Sequence, residues 1–261
     1  MTATTSGPWD CHVHVFDPVR FPFRSTRAYT PSPASVDDLL NDTQSTGIVL
    51  AQASPEDGHH GLTRQLEEAK SRYPGMIFRA EIMTTQEPPE LDVARLPSDT
   101  IDTLHGLGVW LVHCHADGPG SLPRYARCTG VGDGVIPDIV GLVAEHGACA
   151  RPSDFGSPDF ESFVAPLRTG RVYVEISALY RRAPENFRLM RDVVLAYAQA
   201  APDRILWGPD WPHVDASRGG LDPTPPDARA NWREELDAVR EWITEEQFTK
   251  MLPNNQAKLY S

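Results

Sequence analysis

Apolar residues occur in short runs that alternate with amphipathic segments along most of the chain. The runs that predict β-strands cover residues 9–16, 48–53, 77–83, 110–115, 139–146, 172–177 and 205–211. Segments with helical spacing or helix-capping residues cover 35–42, 61–73, 98–107, 157–167, 184–200, 231–243 and 245–252. Strands that alternate with helices in this way indicate βαβ units and a parallel sheet.

One segment, residues 116–134, interrupts this alternation because its glycines and prolines disfavour both helix and strand. The rest of the pattern contains seven strands, whereas a closed barrel of this kind has eight. We therefore predict an α/β fold, a distorted TIM-like (β/α) barrel that lacks one β/α unit, with residues 1–261 as a single domain. Two strand edges would border the gap, and a homodimer is one way to give their backbone groups partners.

The composition is that of a globular protein, since 40% of the 261 residues are apolar and 23% are charged. A net charge of −12 argues against nucleic acid and anionic membranes as partners. No apolar run approaches the roughly 20 residues of a membrane span, and residues 1–8 lack the features of a signal peptide. The four cysteines show no CxxC spacing, which favours reduced thiols. These features predict a cytoplasmic protein.

Two histidines, His12 and His14, alternate on the first predicted strand. Alternate residues of a strand point to the same face, so the two imidazoles project together and can bind a divalent ion such as Zn²⁺. Two unrelated polar residues would give the same pattern. Asp210 follows the apolar run of the last predicted strand, at the end where barrel enzymes carry catalytic groups. A buried carboxylate there needs an ionic partner or a metal, and the alternative is an aspartate that begins a loop.

The sequence at both ends of the chain resembles one enzyme family. Residues 10–16 (DCHVHVF) and 207–213 (WGPDWPH) are similar to motifs of the amidohydrolase-related family, amidohydrolase 2, and within it to the 2-pyrone-4,6-dicarboxylate lactonase-like branch. Residues 27–31 (RAYTP), 49–53 (VLAQA) and 252–260 (LPNNQAKLY) resemble further segments of that branch.

The resemblance implies a distorted barrel that hydrolyses a C–O or C–N bond. It makes Asp210 the general base that activates water, while His12 and His14 either bind metal or polarise the substrate carbonyl. It also implies a catalytic role for His146, which stands in a Glu-His-Gly context. Some lactonases of this branch use Zn²⁺ and others work without metal, so one divalent ion and metal-independent catalysis both stay open.

Recognition of a small anionic substrate requires cationic and hydrogen-bonding side chains. Arg181 and Arg151 follow predicted strands and can bind a carboxylate, and Tyr29 and His213 are further candidates for substrate contact. The lactonase-like branch carries an arginine on the strand at 110–115, and this chain has none there.

Three functions are compatible with these patterns. The first is a hydrolase that opens a lactone or a related cyclic ester of a small, carboxylated substrate. The second is a metal-dependent decarboxylase of an aromatic acid on the same scaffold. The third is an inactive barrel that binds a ligand, a hypothesis based on the irregular segment at 116–134.

Overall fold

The computed structural model describes residues 7–81, 111–114, 141–170 and 172–260. The chain divides into two compact units, the first made of Met1–Met83 and Gly208–Ala230 and the second of Thr84–Trp207 and Asn231–Ser261. The barrel with a missing unit and the single domain both stay predictions. Among the described helices, none has the length and apolar character needed to cross a bilayer.

The first unit contains a parallel sheet of three strands. Strands β1 (Trp9–Val13), β2 (Gly47–Ala51) and β3 (Ile77–Glu81) pair in chain order. The register of β1 on β2 shifts between Asp10 and Val13. Both β1 and β2 are buried along their full length. This explains why β2 is a continuous apolar run in the sequence, whereas β1 also buries the polar residues Asp10 and His12.

Two helices of the first unit follow the predicted pattern. Helix α1 (Val36–Asp42) begins at Ser35, whose hydroxyl accepts a hydrogen bond from the backbone N–H of Asp38 in a capping box. Helix α2 (His60–Arg72) buries the predicted apolar stripe, which includes Leu62 and Leu66. A 3-10 turn at Ala216–Arg218 completes the helical elements described in this unit.

The second unit contains a parallel sheet of four strands in chain order. These are β4 (Leu111–Cys114), β5 (Gly141–Ala144), β6 (Val172–Ser177) and β7 (Ile205–Gly208). The helices described in this unit are α3 (Pro158–Arg168), α4 (Leu179–Arg182), α5 (Arg191–Ala200), α6 (Trp232–Trp242), α7 (Glu245–Thr249) and α8 (Asn255–Tyr260). Short 3-10 turns lie at His146–Cys149, Pro152–Asp154 and Phe187–Met190, and a π-helical turn lies at Lys250–Asn254.

The core of the second unit lies between its helices and its sheet. Tyr197 stacks on Phe160 at a centroid distance of 5.5 Å and meets Phe163 edge-on at 5.8 Å. The hydroxyl of Tyr197 donates a hydrogen bond to the carbonyl oxygen of Gly147 at 2.9 Å. Helices α3 and α5 are therefore fixed to each other and to the turn that follows β5.

The structure corrects two predicted elements. The strand expected at 139–146 ends at Ala144, because the backbone becomes left-handed at His146, with φ of 50°, and a strand cannot continue in that conformation. The helix expected at 184–200 begins only at Arg191. The side chain of Asn186 accepts a hydrogen bond from the backbone N–H of Arg188 and favours a 3-10 turn instead.

Helix α4, which was not predicted, follows β6. The predicted helix at 98–107 and the irregular segment at 116–134 lie outside the described residues.

Candidate functional site

Backbone hydrogen bonds join the end of β1 to the segment that follows β7. The N–H of Asp210 donates to the carbonyl oxygen of His12 at 3.0 Å, and the N–H of His14 donates to that of Trp211 at 2.7 Å. Val13 and Trp211 form a parallel bridge between these contacts. Residues almost two hundred positions apart thus lie side by side, with the Asp210 side chain next to both histidines.

The three side chains converge on one point of the first unit. The Oδ1 atom of Asp210 lies 3.6 Å from Nε2 of His14 and 4.0 Å from Nε2 of His12. One ligand atom from each residue lies within 4.8 Å of those of the other two. His12 and Asp210 are buried, and the His14 side chain is 14% exposed. The site is therefore largely withdrawn from bulk water.

The hydrogen bonding of His14 indicates that this cluster needs a positive charge between His14 and Asp210. Its Nδ1 lies 2.9 Å from the carbonyl oxygen of Ala51, which can only accept, so Nδ1 carries a proton. The Nε2 atom of a neutral His14 then presents a lone pair to the Asp210 carboxylate, and two such electron-rich atoms repel each other. A divalent cation between them, or a second proton on His14, removes the repulsion. The arrangement is suited to either.

The backbone at Asp210 is held in an unusual conformation. Asp210 has φ of 58° and His213 has φ of 63°, in the left-handed region that few non-glycine residues adopt. The peptide bond between Trp211 and Pro212 is cis. The N–H of His213 donates to the carbonyl oxygen of Asp210 at 2.8 Å, which closes a tight turn. Left-handed backbone at non-glycine residues, as at Asp210 and His213, is concentrated at functional sites.

A second buried carboxyl group lies two positions before His12. Burial raises the pKa of Asp10 to about 6, while hydrogen bonds from Thr43 and Ser45 act in the opposite direction. The hydroxyl of Thr43 donates to Oδ2 of Asp10 at 2.5 Å. The polar end of this group is thus satisfied from the loop before β2.

The loop that carries Tyr29 is fastened to the segment after Asp210. The carbonyl oxygen of Thr30 accepts hydrogen bonds from the backbone N–H and the hydroxyl of Thr224, and the hydroxyl of Thr30 donates to the carbonyl oxygen of Gly220 at 3.0 Å. Tyr29 itself is half-buried, and its hydroxyl oxygen accepts a hydrogen bond from Ser54 at 3.3 Å. His213 is also half-buried in this unit.

Three of the predicted site residues belong to the second unit. His146 is buried in the turn after β5, and its Nδ1 lies 2.7 Å from Oγ of Ser177. Arg181 is half-buried in α4, with its guanidinium 5.1 Å from the ring centroid of Tyr180. Arg151 is exposed, and its backbone N–H donates to the Asp154 carboxylate.

Sequence reasoning missed three buried polar residues of the second unit. Ser177 donates to the Glu175 carboxylate at 2.7 Å, so the two residues form a polar pair on β6. The Glu235 carboxylate accepts hydrogen bonds from the backbone N–H groups of Leu179 and Tyr180, which begin α4. A glutamate inside the apolar run of β6 was the signal that could have identified Glu175.

Comparison with known proteins relates this chain to amidohydrolases. The model of the amidohydrolase family matches residues 132–261. The chain is 24% identical over 237 residues to a 4-sulfomuconolactone hydrolase of Hydrogenophaga intermedia, with 79% of this chain and 75% of that protein covered.

Two solved structures have similar folds. A Pseudomonas putida protein assigned as a 2-pyrone-4,6-dicarboxylic acid hydrolase has a TM-score of 0.68 at 20% identity, with 97% of each chain covered. A Burkholderia multivorans amidohydrolase with bound zinc has a TM-score of 0.60 at 16% identity, with 97% of this chain and 98% of the other covered. The chain thus has an α/β fold with parallel sheets that is similar to those of solved amidohydrolases.

Proposed function

We propose that this chain is a hydrolase of the amidohydrolase type that opens a lactone or a related cyclic ester of a small, carboxylated molecule, because the amidohydrolase model matches residues 132–261 and a relative is a lactone hydrolase. The observation that carries this proposal is the convergence of His12, His14 and Asp210 in one buried cluster. A carboxylate beside two imidazoles supplies the base and the electrophilic assistance that ester hydrolysis requires. The hydrolase relative supports the choice of a lactone as substrate class.

In the proposed mechanism Asp210 acts as the general base. Its carboxylate accepts a proton from a water molecule held in the cluster, and the oxygen of that water attacks the lactone carbonyl. The ring C–O bond then breaks, and the proton passes to the alkoxide that leaves, which yields a hydroxy acid. Burial of the carboxylate favours this role, because few water molecules compete for the proton. His12 and His14 place two imidazoles on the same side of the first strand, next to this carboxylate.

The residues of the cluster fit a divalent metal ion. Two imidazole nitrogens and one carboxylate oxygen are the protein ligands of many catalytic zinc sites, which keep a fourth position for water or substrate. Ligand atoms at about 2.0–2.1 Å from a tetrahedral ion lie roughly 3.3 Å apart, and the distances of 3.6 Å and 4.0 Å to Asp210 are slightly wider. When bound, Zn²⁺ would act as a Lewis acid on the carbonyl oxygen or on water.

The residues that contact the substrate are also part of the proposal. In the first unit Tyr29 and His213 are the proposed contacts, and the hydrogen bonds between Thr30 and Thr224 support a fixed position for the Tyr29 loop. The roles of His146 in catalysis and of Arg181 and Arg151 in carboxylate binding rest on the sequence. The half-buried position of Arg181 favours it over the exposed Arg151.

A hydrolysis screen tests the function. Purified protein is incubated with lactones that carry a carboxylate or sulfonate. Ring opening is monitored through the acid that it releases. Asp210→Asn should lower turnover by about 10²- to 10⁴-fold, the usual contribution of a general base, while the folded state is retained. An Asn variant with full activity would contradict the role of Asp210. Release of CO₂ from aromatic acids would favour the decarboxylase instead, and ligand binding without turnover would favour an inactive binding protein.

Three predictions from the sequence complete the proposal: the barrel that lacks one β/α unit, a homodimer and a cytoplasmic location. An experimental structure that reveals a further parallel strand within residues 116–138 would contradict the missing unit. Sedimentation that gives only a monomer at micromolar concentration would contradict the dimer. Fractionation of cells that produce the protein tests its location.

A further inference from the structure

A chain of hydrogen bonds connects three buried residues of the second unit. Oγ of Ser177 lies 2.7 Å from Oε1 of Glu175 and 2.7 Å from Nδ1 of His146. Glu175 and Ser177 are completely buried, and His146 is 6% exposed. The two strand residues alternate on β6 and so share one face, while His146 reaches the same hydroxyl from the turn after β5.

The positions of the protons set the donor and the acceptor in each of these hydrogen bonds. A serine hydroxyl has one proton, and an ionised carboxylate can only accept. The Ser177 hydroxyl donates its hydrogen bond to the ionised Glu175 carboxylate, so its oxygen must accept a hydrogen bond from His146. The His146 proton therefore lies on Nδ1, and Nε2 carries the lone pair of the neutral ring. A protonated Glu175 would reverse every hydrogen bond and place the ring proton on Nε2.

We propose that Ser177 and Glu175 are positioning residues that hold His146 with its proton on Nδ1, so that Nε2 is a proton acceptor or a metal ligand and not a donor. This inference rests on the proposed function, in which His146 takes part in catalysis. It narrows the catalytic role that the sequence implied for His146 to one in which Nε2 offers a lone pair.

The local backbone supports a positioning role. His146, Ala148 and Cys149 all have positive φ, between 50° and 56°, so the turn that presents the imidazole is strained. The Tyr197 hydroxyl holds this turn through the carbonyl oxygen of Gly147. The ring is thus fixed by its own backbone on one side and by the Ser177 hydroxyl on the other, which leaves little freedom for a flip.

The direct test is the tautomer of His146 in the wild-type protein. Long-range ¹H–¹⁵N correlation spectra of ¹⁵N-histidine-labelled protein distinguish a proton on Nδ1 from one on Nε2. The signal of His146 is assigned by its loss in His146→Asn, in which the amide can still donate to Ser177. We expect the Nδ1–H form. A signal with the proton on Nε2, or an equal mixture, would overturn the proposal without any measurement of activity.

Variants of Ser177 connect the tautomer to catalysis. Ser177→Ala should lose the tautomer preference and lower kcat by about 10- to 100-fold, as is typical when a residue that orients a catalytic group is removed, with KM nearly unchanged. Ser177→Thr keeps the hydroxyl and should restore both the spectrum and kcat. The matched control is Ser162→Ala, which removes an exposed hydroxyl bonded to the Asp159 carbonyl oxygen in α3.

The outcomes separate this inference from the proposed function. If no lactone is hydrolysed but the wild-type ring carries its proton on Nδ1 and loses this preference in Ser177→Ala, the positioning role stands and the proposed reaction fails. If hydrolysis is found and Ser177→Ala retains full kcat, the inference fails and the reaction stands. Where Ser177→Ala does not fold, Glu175→Gln replaces it. This substitution removes the charge that orients the Ser177 hydroxyl and keeps the side-chain volume nearly constant. Full kcat with an unchanged tautomer in Glu175→Gln would overturn the inference.

Discussion

Glu56 has a carboxyl group that folding removes from water. It lies in the turn after β2, is 8% exposed, and accepts a hydrogen bond on its carboxylate from the backbone N–H of Ala53 at 2.6 Å. Burial raises its pKa from 4.5 to about 7, while the Ala53 hydrogen bond and the charge of Arg24 oppose the increase. Replacement by glutamine keeps the shape and an acceptor oxygen but removes the titration.

The sign and size of the effect follow from linkage. A group whose folded pKa lies above its unfolded value contributes stability that is fully present below the unfolded pKa and is lost as the pH rises through the folded pKa. For Glu56 the interval runs from 4.5 to about 7. At about 1.4 kcal/mol per pH unit, the wild type should lose about 3 kcal/mol relative to Glu56→Gln over this interval.

Urea unfolding at a series of pH values measures this difference. The free energy of unfolding of Glu56→Gln minus that of the wild type should increase by about 3 kcal/mol from about pH 4 to about pH 8. The exposed Glu185→Gln serves as the control, because it changes the net charge equally without removing a buried carboxyl. A difference that stays constant with pH, or one that decreases, would refute the reasoning.

Three further perturbations address the site and the packing within each unit. If the cluster holds a zinc ion, dialysis against a chelator should abolish hydrolysis and lower the melting temperature, and added Zn²⁺ should restore both; elemental analysis that finds no metal in an active protein contradicts this. Gly47→Ala places a Cβ 2.1 Å from the Trp9 ring and should destabilise by roughly 1–3 kcal/mol, whereas Gly75→Ala, with nothing within 4 Å, should have little effect in the same thermal assay. Asn255→Ala removes an amide that donates to two backbone carbonyls, and denaturant titration should reveal a loss of about 1–3 kcal/mol.

Local patterns in the sequence identified most of the regular elements because their causes are local. The Ser35 cap and the apolar stripe of α2 depend on residues three or four positions apart, and both are found as predicted. The errors occur where the backbone conformation is decided elsewhere. The left-handed turn at His146 is held by Tyr197, about fifty residues away, and no pattern around residue 146 indicates that contact.

The candidate site was predictable only in part for the same reason. Alternation on one strand is sufficient to bring His12 and His14 together. The position of Asp210 beside them depends on hydrogen bonds between two distant segments. In the sequence it could be inferred only from its place at the end of the last predicted strand and from the family resemblance. The partnership of Ser177 with His146 required the pairing of β5 with β6, which hydrophobic periodicity does not specify.

The division of the first unit between residues 1–83 and 208–230 has a consequence for the order in which the protein is made. A ribosome that adds about 5–20 residues per second needs roughly 10–40 seconds to proceed from His14 to Asp210. Once residue 81 has been added, the residues of β1, β2 and β3 are all present, while the segment that bridges Val13 through Trp211 has still to be synthesised. The histidine pair is therefore synthesised early and its neighbouring carboxylate late, so a nascent chain that stops before Asp210 contains both imidazoles but lacks the carboxylate that we propose as the base.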